Sequence, residues 1–451
     1  MDSTRRTSRW WWTLGLGALL ATSAGAEEPP VKHTPTQRMA PDRLRATHED
    51  AERFRATRRD LPPIPGLNDY RAIFHAHAED SAHTGGTRPE MLVEAKAAGV
   101  HAIFLSDHHR PPRDFVTESW RGLRDGVLFV PGSEARGFLL VPSKSILDKM
   151  DAPVPDLLAA TREGGGLAFL SHVEERPDHP MDGLDGQEIY NRHADAKDDK
   201  AGLLALILAL TDPDATARLA ASLERFPDEL FAFQVEYPAV YLAKWDRETP
   251  RRRLTGVAAN DCHHNNVLIV KKVDDETVRV GTNVDRDDQM RVVKAALRPG
   301  IRALTRGRAP GDILARVDLD PYRRAFRNVC THVLAPELTE PALRDAIRAG
   351  RVYVSHDWIA DPTGFRFAFE SPDRKLFMGD EAPIGAGGTL SAAFPAPCRI
   401  RLIRDGEVVA EAQGDRLDHR AEHPGVYRVE ARVRLDGEDR PWIYSNPIYL
   451  R

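Results

Sequence analysis

Five short apolar runs in this chain each lead into residues of the types that bind metals, one after another along the sequence. Residues 71–74 run into His75-Ala76-His77, Ala102–Leu105 into Ser106-Asp107-His108-His109, and Val127–Val130 into Pro131-Gly132-Ser133-Glu134. Leu167–Leu170 is followed by Ser171-His172, and Thr255–Ala259 by Asn260-Asp261-Cys262-His263-His264. Runs of this length and make-up, bounded by turn residues, predict strands. Further strands are predicted at residues 188–190 and 231–235. Between most of them lie segments of helical spacing, such as residues 89–98, which Gly99 closes as a C-cap. Strand and helix in alternation imply a parallel sheet, and about seven such units imply a closed or nearly closed β/α barrel.

In such barrels the C-terminal strand ends form the active-site face. His75 and His77 are two apart, as are Asp261 and His263, so in a strand each pair shares one side. A single zinc-like ion takes three or four protein ligands. His75, His77, His108, Glu134, His172, Asp261 and His263 exceed that number, so at least two ions are expected, bridged by Glu134 or by a hydroxide. Two ions suit hydrolysis, one lowering the pKa of water and the other clamping developing charge. A lone histidine or HxH pair is usually structural; alignment with successive strand ends is what sets these residues apart. His33, His179, His332 and His423 lack that alignment and read as ordinary histidines.

Asp107 reads either as a partner orienting a histidine or as a turn or cap aspartate. Arg136, Asn191 and His356 follow predicted strands, where they would touch an anionic substrate or serve as structural polar residues. His83, His263 or an aspartate would shuttle the proton. Cys262 lies between two proposed ligands and strand alternation points it away from them. No Gly-x-Ser-x-Gly elbow is present.

The N-terminus has its own character. Arg5, Arg6 and Arg9 precede an apolar run from Trp10 to about Leu20, and Ala24-Gly25-Ala26 follows. This is the pattern of a signal peptide cleaved after Ala26, or else of an uncleaved anchor, and it predicts a periplasmic or secreted protein. Residues 27–66 form a lead-in whose densely charged part, residues 41–59, is an exposed helix or disordered. Pro62, Pro63 and Pro65 then mark a boundary. The hydrophobic share of 41% and charged share of 29% are those of a soluble globular protein. A net charge of −5 disfavours nucleic acid as a partner. Beyond the leader, the apolar run 202–210 has about half the length a membrane span needs. Cys262, Cys330 and Cys398 lack CxxC spacing, and form one disulfide or stay as buried thiols.

Towards the C-terminus Thr339 caps a helix ended by Gly350, and a strand follows at residues 351–355. From Gly364 the apolar residues alternate, at residues 365–369, 399–403, 426–429 and 441–444, with a hairpin signal at Arg404-Asp405-Gly406-Glu407. This predicts a small antiparallel β-sandwich over residues 361–451, after a barrel over residues 67–360.

Phe74-His75-Ala76-His77, the helix after it, and Ala102 to His108 resemble the polymerase-and-histidinol-phosphatase (PHP) superfamily, whose pattern is a strand with H-x-H, a helix, and a strand ending T-D-H. Pro131-Gly132-Ser133-Glu134 is similar to its P-G-x-E element, His172 to its fourth-strand histidine, and Asp261-Cys262-His263 to its late D-x-H. The resemblance runs from about Asp69 to Ala360. It implies a distorted seven-stranded β/α barrel, a di- or trinuclear centre of zinc, manganese or iron, and phosphoesterase-type hydrolysis of a small-molecule ester. The leader and the C-terminal β region look most like the exported, carbaryl-hydrolase-like branch, which includes carbamate and ester hydrolysis. Where the family has S-D-G after H-x-H, this chain has Glu79 to Gly85, and Asp80 or His83 stands in that place. Ala135-Arg136-Gly137-Phe138 replaces a histidine found in many relatives after P-G-x-E, which leaves one third-metal ligand without a counterpart.

Overall fold

The computed structural model describes residues 30–198, 202, 206, 207 and 209–451. The leader at residues 1–26 and part of the apolar run 202–210 lie outside them. No helix among the described residues is long and apolar enough to cross a membrane.

Two sheets build a distorted, unclosed barrel. In the first, Asn68–Ala76 pairs in parallel with Ala102–Leu105, which pairs in parallel with Val127–Val130. In the second, Thr255–Ala259, Gly186–Asn191 and Leu167–Leu170 are parallel neighbours, and Phe138–Val141 and Ser133–Ala135 follow antiparallel. The wall splits at Ser106 and at Pro131-Gly132: Asp107–His108 and Ser133–Ala135 pair with one another in the second sheet. The far seam is held by few bonds, chiefly Asn260 N–H to Phe74 O at 3.1 Å and His77 N–H to Cys262 O at 3.1 Å.

The helices have readable causes. Thr87 and Glu90 form a capping box at the start of Arg88–Ala98, and Gly99 ends it at φ 69°. Thr339 accepts from Ala342 N–H to cap Glu340–Arg348. Apolar side chains lining the wall, among them Phe74, Phe104, Leu128 and Phe169, form one cluster, with Phe74 and Phe104 stacked at 4.3 Å.

Four expectations are corrected. Residues 231–234 are helical, at the end of Pro227–Phe231 and in the 3-10 turn Ala232–Gln234, and Val235 is the extended residue that ends the turn. Ala232, Phe233, Gln234 and Val235 are all buried, so their alternation says nothing about a sheet face. The sheet is not wholly parallel, because Phe138–Val141 and Cys330–Ala335 run antiparallel to their neighbours. The helix Pro41–Ala56 is neither disordered nor exposed all round: Leu44, Ala51 and Phe54 are buried, and Phe54 meets Trp442 edge-on at 4.9 Å. The C-terminal strands are antiparallel as their period requires, but Val352–Ser355 pairs with Glu438–Ser445, so they continue the 14-stranded sheet that contains Asn68–Ala76.

A four-stranded antiparallel sheet, Val267–Asp274, Thr277–Thr282, Arg291–Lys294 and Ile313–Asp318, follows the last barrel strand. All three cysteines are buried free thiols, and Cys262 packs among Ala76, Met91 and Tyr322.

Candidate metal centre

The strand ends turn sharply where the site begins. His75, His172 and Asp261 have φ of 60°, 48° and 48°, a region that few residues other than glycine occupy and that clusters at functional sites. At His75 the register between Asn68–Ala76 and Ala102–Leu105 shifts.

The structure brings all seven residues together. Glu134 is the hub: Oε2 lies 3.4 Å from His75 Nε2, 3.7 Å from His77 Nε2 and 3.4 Å from His108 Nε2, while Oε1 lies 3.0 Å from His172 Nε2. Asp261 faces the same space. Its Oδ1 lies 3.4 Å from His75 Nε2, 3.6 Å from His77 Nε2 and 3.5 Å from His263 Nδ1, and its Oδ2 lies 3.5 Å from His172 Nε2. The rings of His77 and His263 stack at 4.1 Å and those of His77 and His108 at 4.2 Å.

The other nitrogen of several of these rings is held from behind. Nδ1 of His77 and Nδ1 of His108 lie 2.9 and 2.6 Å from the same oxygen of Asp80, which also accepts the His108 backbone N–H. Asp80 thus orients two imidazoles. Glu188 lies 2.6 Å from His75 Nδ1 and accepts the His172 backbone N–H at 2.9 Å. Glu174 holds His172 Nδ1 at 3.1 Å and accepts from Tyr241 Oη. Such bonds fix which nitrogen carries its lone pair into the site.

Charge follows from this packing. Burial opposes ionisation of Glu134, but His75 and His172 outweigh it and hold the carboxyl well below the usual range. Asp261 is likewise held low against burial, by His75 and His193 first. Burial lowers the His172 pKa, and hydrogen bonds to Glu134 and Glu174 reverse this and raise it to about 10. Burial, followed by the neighbouring His77, drives His263 down to about 2, so that ring is neutral.

These residues fit divalent cations. Among the described residues, Nε2 of His75 and of His263 are buried without a hydrogen-bond partner, an expensive state that a cation relieves. His77, His108 and His263 form one group of donors, His75, Glu134 and His172 a second, and His75, His77 and Asp261 a third; within each, the donor atoms lie within 4.8 Å of one another. Imidazoles with carboxylates suit zinc, manganese and iron.

The remaining sequence expectations fare differently. His83 sits exposed at the rim, its ring 4.6 Å from His108 and 5.0 Å from His263, with Nδ1 3.1 Å from Ser81 Oγ. Asp107 does not orient a histidine. Its side chain accepts from Arg88, from Arg113 at 3.1 Å and from Ser119 at 3.3 Å, because successive strand residues point to opposite faces and His108 takes the inner one. Arg136 donates from Nη1 to the carbonyls of Met150 and Ala152. Asn191 is buried, donates to Glu188 at 3.1 Å and accepts the His193 N–H at 2.8 Å, so it organises the next helix. His356 is wholly buried against Tyr190, their rings 4.8 Å apart. Among the histidines read as ordinary, His332 lies between Asp69 and Asp357.

Glu188 and Glu174 are the functional candidates that the strand-end reading passed over. Glu188 stands inside the strand Gly186–Asn191, all of it buried. A carboxylate in the middle of a buried strand was the available signal, since burial of an unpaired charge is costly.

No family model matches the chain, and no curated protein matches it. Among solved structures it is similar to a two-domain protein from Bacteroides vulgatus ATCC 8482 that contains a predicted PHP-like metal-dependent phosphoesterase. The identity is 14%, the TM-score 0.35, and the match covers 86% of this chain and 97% of that one.

Proposed function

We propose that this protein is an exported metal-dependent hydrolase, a phosphoesterase acting on a small-molecule ester, with two or three zinc, manganese or iron ions at the cluster. The observation that carries the reading is the convergence of five imidazoles on Glu134 and Asp261, with Nε2 of His75 and His263 buried and, among the described residues, without a hydrogen bond. The order of the motifs along the chain, which resembles the PHP superfamily, supports it too.

His75, His77, His108, Glu134, His172, Asp261 and His263 are the residues that would hold the ions. When bound, ions of this kind lower the pKa of water and neutralise charge growing on the reacting oxygen. The chain supplies the rest. Glu134 presents one oxygen to His75, His77 and His108 and the other to His172, so a single carboxylate meets four of the imidazoles. Asp80 and Glu188 fix the imidazoles that surround it. His83, exposed beside His108 and His263, is placed to carry a proton between solvent and the leaving group.

The test is metal content per chain of residues 27–451 by elemental mass spectrometry, with His75→Ala/His77→Ala beside it, and hydrolysis of a paired phosphoester and carboxyl ester by the zinc, manganese and iron(II) forms. Two or more ions, sharply fewer in the double variant, with turnover of the phosphoester, are expected. A protein that takes up no ion after reconstitution is a binding scaffold and no hydrolase. Export is tested by N-terminal sequencing of the mature protein, which should begin at Glu27.

A further inference from the structure

His264 follows the last of the seven candidate ligands, but it belongs to a different group of donors. One donor atom each of His264, Asp318 and Asp320 lie within 4.8 Å of one another. None of the three residues is part of the centre described above. Asp318 ends the strand Ile313–Asp318 of the four-stranded sheet, and Asp320 comes two residues later. The fold therefore assembles this group from two places, the turn after the last barrel strand and the end of the added sheet.

The His264 ring, its side chain 12% exposed, has a carboxylate on each side. Nε2 lies 3.1 Å from Asp318 Oδ2, and Nδ1 lies 2.6 Å from Glu90 Oε1 on the helix Arg88–Ala98. Histidines that bind metals almost always have such a group behind the second nitrogen, and Glu188 stands in the same way behind His75. Two ligands held tetrahedrally at about 2.0 Å stand about 3.3 Å apart, so Nε2 and Asp318 Oδ2 can share one ion with little movement. Asp320 is held in place by its own loop: it accepts the N–H of Asn265 at 3.2 Å, the N–H of Asn266 at 2.9 Å and Nδ2 of Asn266 at 2.9 Å. Charge also favours a cation here. Among the described residues no lysine or arginine side chain pairs with Glu90, Asp318 or Asp320, which leaves three carboxylates around one imidazole. Arg324 donates at 2.6 Å to the Asp318 carbonyl rather than to its carboxylate. Asp318 Oδ1 is buried and has no hydrogen-bond partner among the described residues; the same is true of His264 Nδ1, whose approach to Glu90 is a contact of charge. A carboxylate oxygen shut away from water and from donors is costly, and an adjacent cation removes that cost.

We propose that His264, Asp318 and Asp320 bind one further divalent ion, which fastens the end of the added sheet to the turn that carries Asp261 and His263. Calcium and magnesium favour sites made of oxygen alone, whereas an imidazole with two carboxylates suits zinc or manganese. This ion is separate from those of the candidate centre and does not rest on the hydrolase reading.

The experiment titrates the metal-free protein, residues 27–451, with micromolar zinc and counts bound ions by elemental mass spectrometry. It compares the parent with Asp318→Asn, Asp320→Asn, His75→Ala/His77→Ala and the last combined with Asp318→Asn; near-UV circular dichroism shows which variants keep the parent's fold. Asp318→Asn and Asp320→Asn should each hold one zinc fewer than the parent, and the combined variant one fewer than His75→Ala/His77→Ala. A folded Asp318→Asn or Asp320→Asn that holds as many ions as the parent overturns the proposal. If neither folds, anomalous scattering from parent crystals grown with micromolar zinc decides: a peak beside His264 Nε2 is expected, and its absence overturns the proposal. A peak that needs millimolar zinc is an adventitious ion only and counts against it as well. The hydrolase reading fails separately, through a parent whose ion count is unchanged by His75→Ala/His77→Ala; a single ion lost in Asp318→Asn would then leave this site standing alone.

Discussion

Glu188 Oε1 lies 2.6 Å from Nδ1 of His75, and neither side chain has any exposed surface. In that geometry the carboxylate accepts Nδ1–H, which leaves Nε2 as the nitrogen that faces Glu134 and Asp261. The other oxygen of Glu188 ties down the backbone of His172, so one carboxylate positions donors from two strand ends. Partners of this kind typically change metal affinity by about 10- to 100-fold when lost. Glu188→Gln keeps the shape and removes the charge. It should weaken zinc binding within that range, read by titration against a chromophoric chelator, with zinc still bound at saturation. An unchanged affinity would remove Glu188 from the site.

A second buried ion network lies at the other end of the first strand. His332 is wholly buried, with Nδ1 2.7 Å from Asp69 and Nε2 3.1 Å from Asp357. Burial lowers its pKa, but Asp357 and Asp69 outweigh burial and raise it to about 10. A histidine raised in this way adds stability that is complete below its unfolded pKa of about 6.5 and is lost as pH rises towards 10. Urea midpoints of the metal-free protein should therefore fall between pH 7 and pH 10. His332→Gln leaves Asp69 without its cation, while Asp357 keeps Arg71 at 3.0 Å, and should cost about 3–5 kcal/mol at pH 6, with a flatter decline at alkaline pH. A variant that tracks the parent's slope would show that another group titrates there.

The donors of the candidate centre were legible because two signals coincide at each: a strand-like run and a ligand-type residue at its end. Glu188 was missed because it sits within its strand, where a reading of strand ends does not look. Arg136 and Asn191 were misjudged for the opposite reason. Arg136 follows a strand and Asn191 ends one, but sequence position says nothing about which carbonyl or backbone N–H lies within reach, and both are taken up by such groups. The added sheet carries a period of two, with Val278 and Val280 buried between half-buried neighbours. What the pattern does not reveal is that this sheet packs with Leu219, Phe226 and Phe233 in one core. The continuity of the C-terminal strands with the barrel was also hidden, since it depends on the pairing of Tyr353 with Ser445 across 92 residues of chain.

Gly86 shows how the loop after the first strand is locked to the site. A Cβ there would lie 2.3 Å from Tyr322 Oη, and that hydroxyl donates to the His77 carbonyl. The Gly86 N–H in turn donates to the His263 carbonyl at 3.1 Å. Gly86→Ala must push Tyr322 aside and disturb the backbone of His77, at an overpacking cost of about 1–3 kcal/mol. It should lose zinc affinity as well as stability. Gly66→Ala is the comparison: its φ is +73° with nothing within 4 Å of the new Cβ, so it should cost about 1–2 kcal/mol in backbone strain and leave zinc affinity alone. Equal effects of the two on zinc binding would show that the Tyr322 contact is irrelevant to the centre.

Metal binding must appear in the stability of the fold, because the candidate donors come from strand ends far apart in sequence and meet only when the chain is folded. His75 lies in the first barrel strand and Asp261 beyond the last, and their side chains come within 3.4 Å. A ligand that binds the folded state alone, at one hundred times its dissociation constant, adds about 2.7 kcal/mol per site. Zinc should therefore raise the urea midpoint of the parent, and a chelator should reverse the rise. His75→Ala/His77→Ala should lose most of it. Calcium separates a real centre from general screening of the carboxylates. It prefers six to eight oxygen ligands, whereas five of the seven donors here offer nitrogen, so millimolar calcium should leave the midpoint where it is. A rise with calcium equal to that with zinc would assign the effect to Glu134 and Asp261 alone, and the imidazoles would have no part in it.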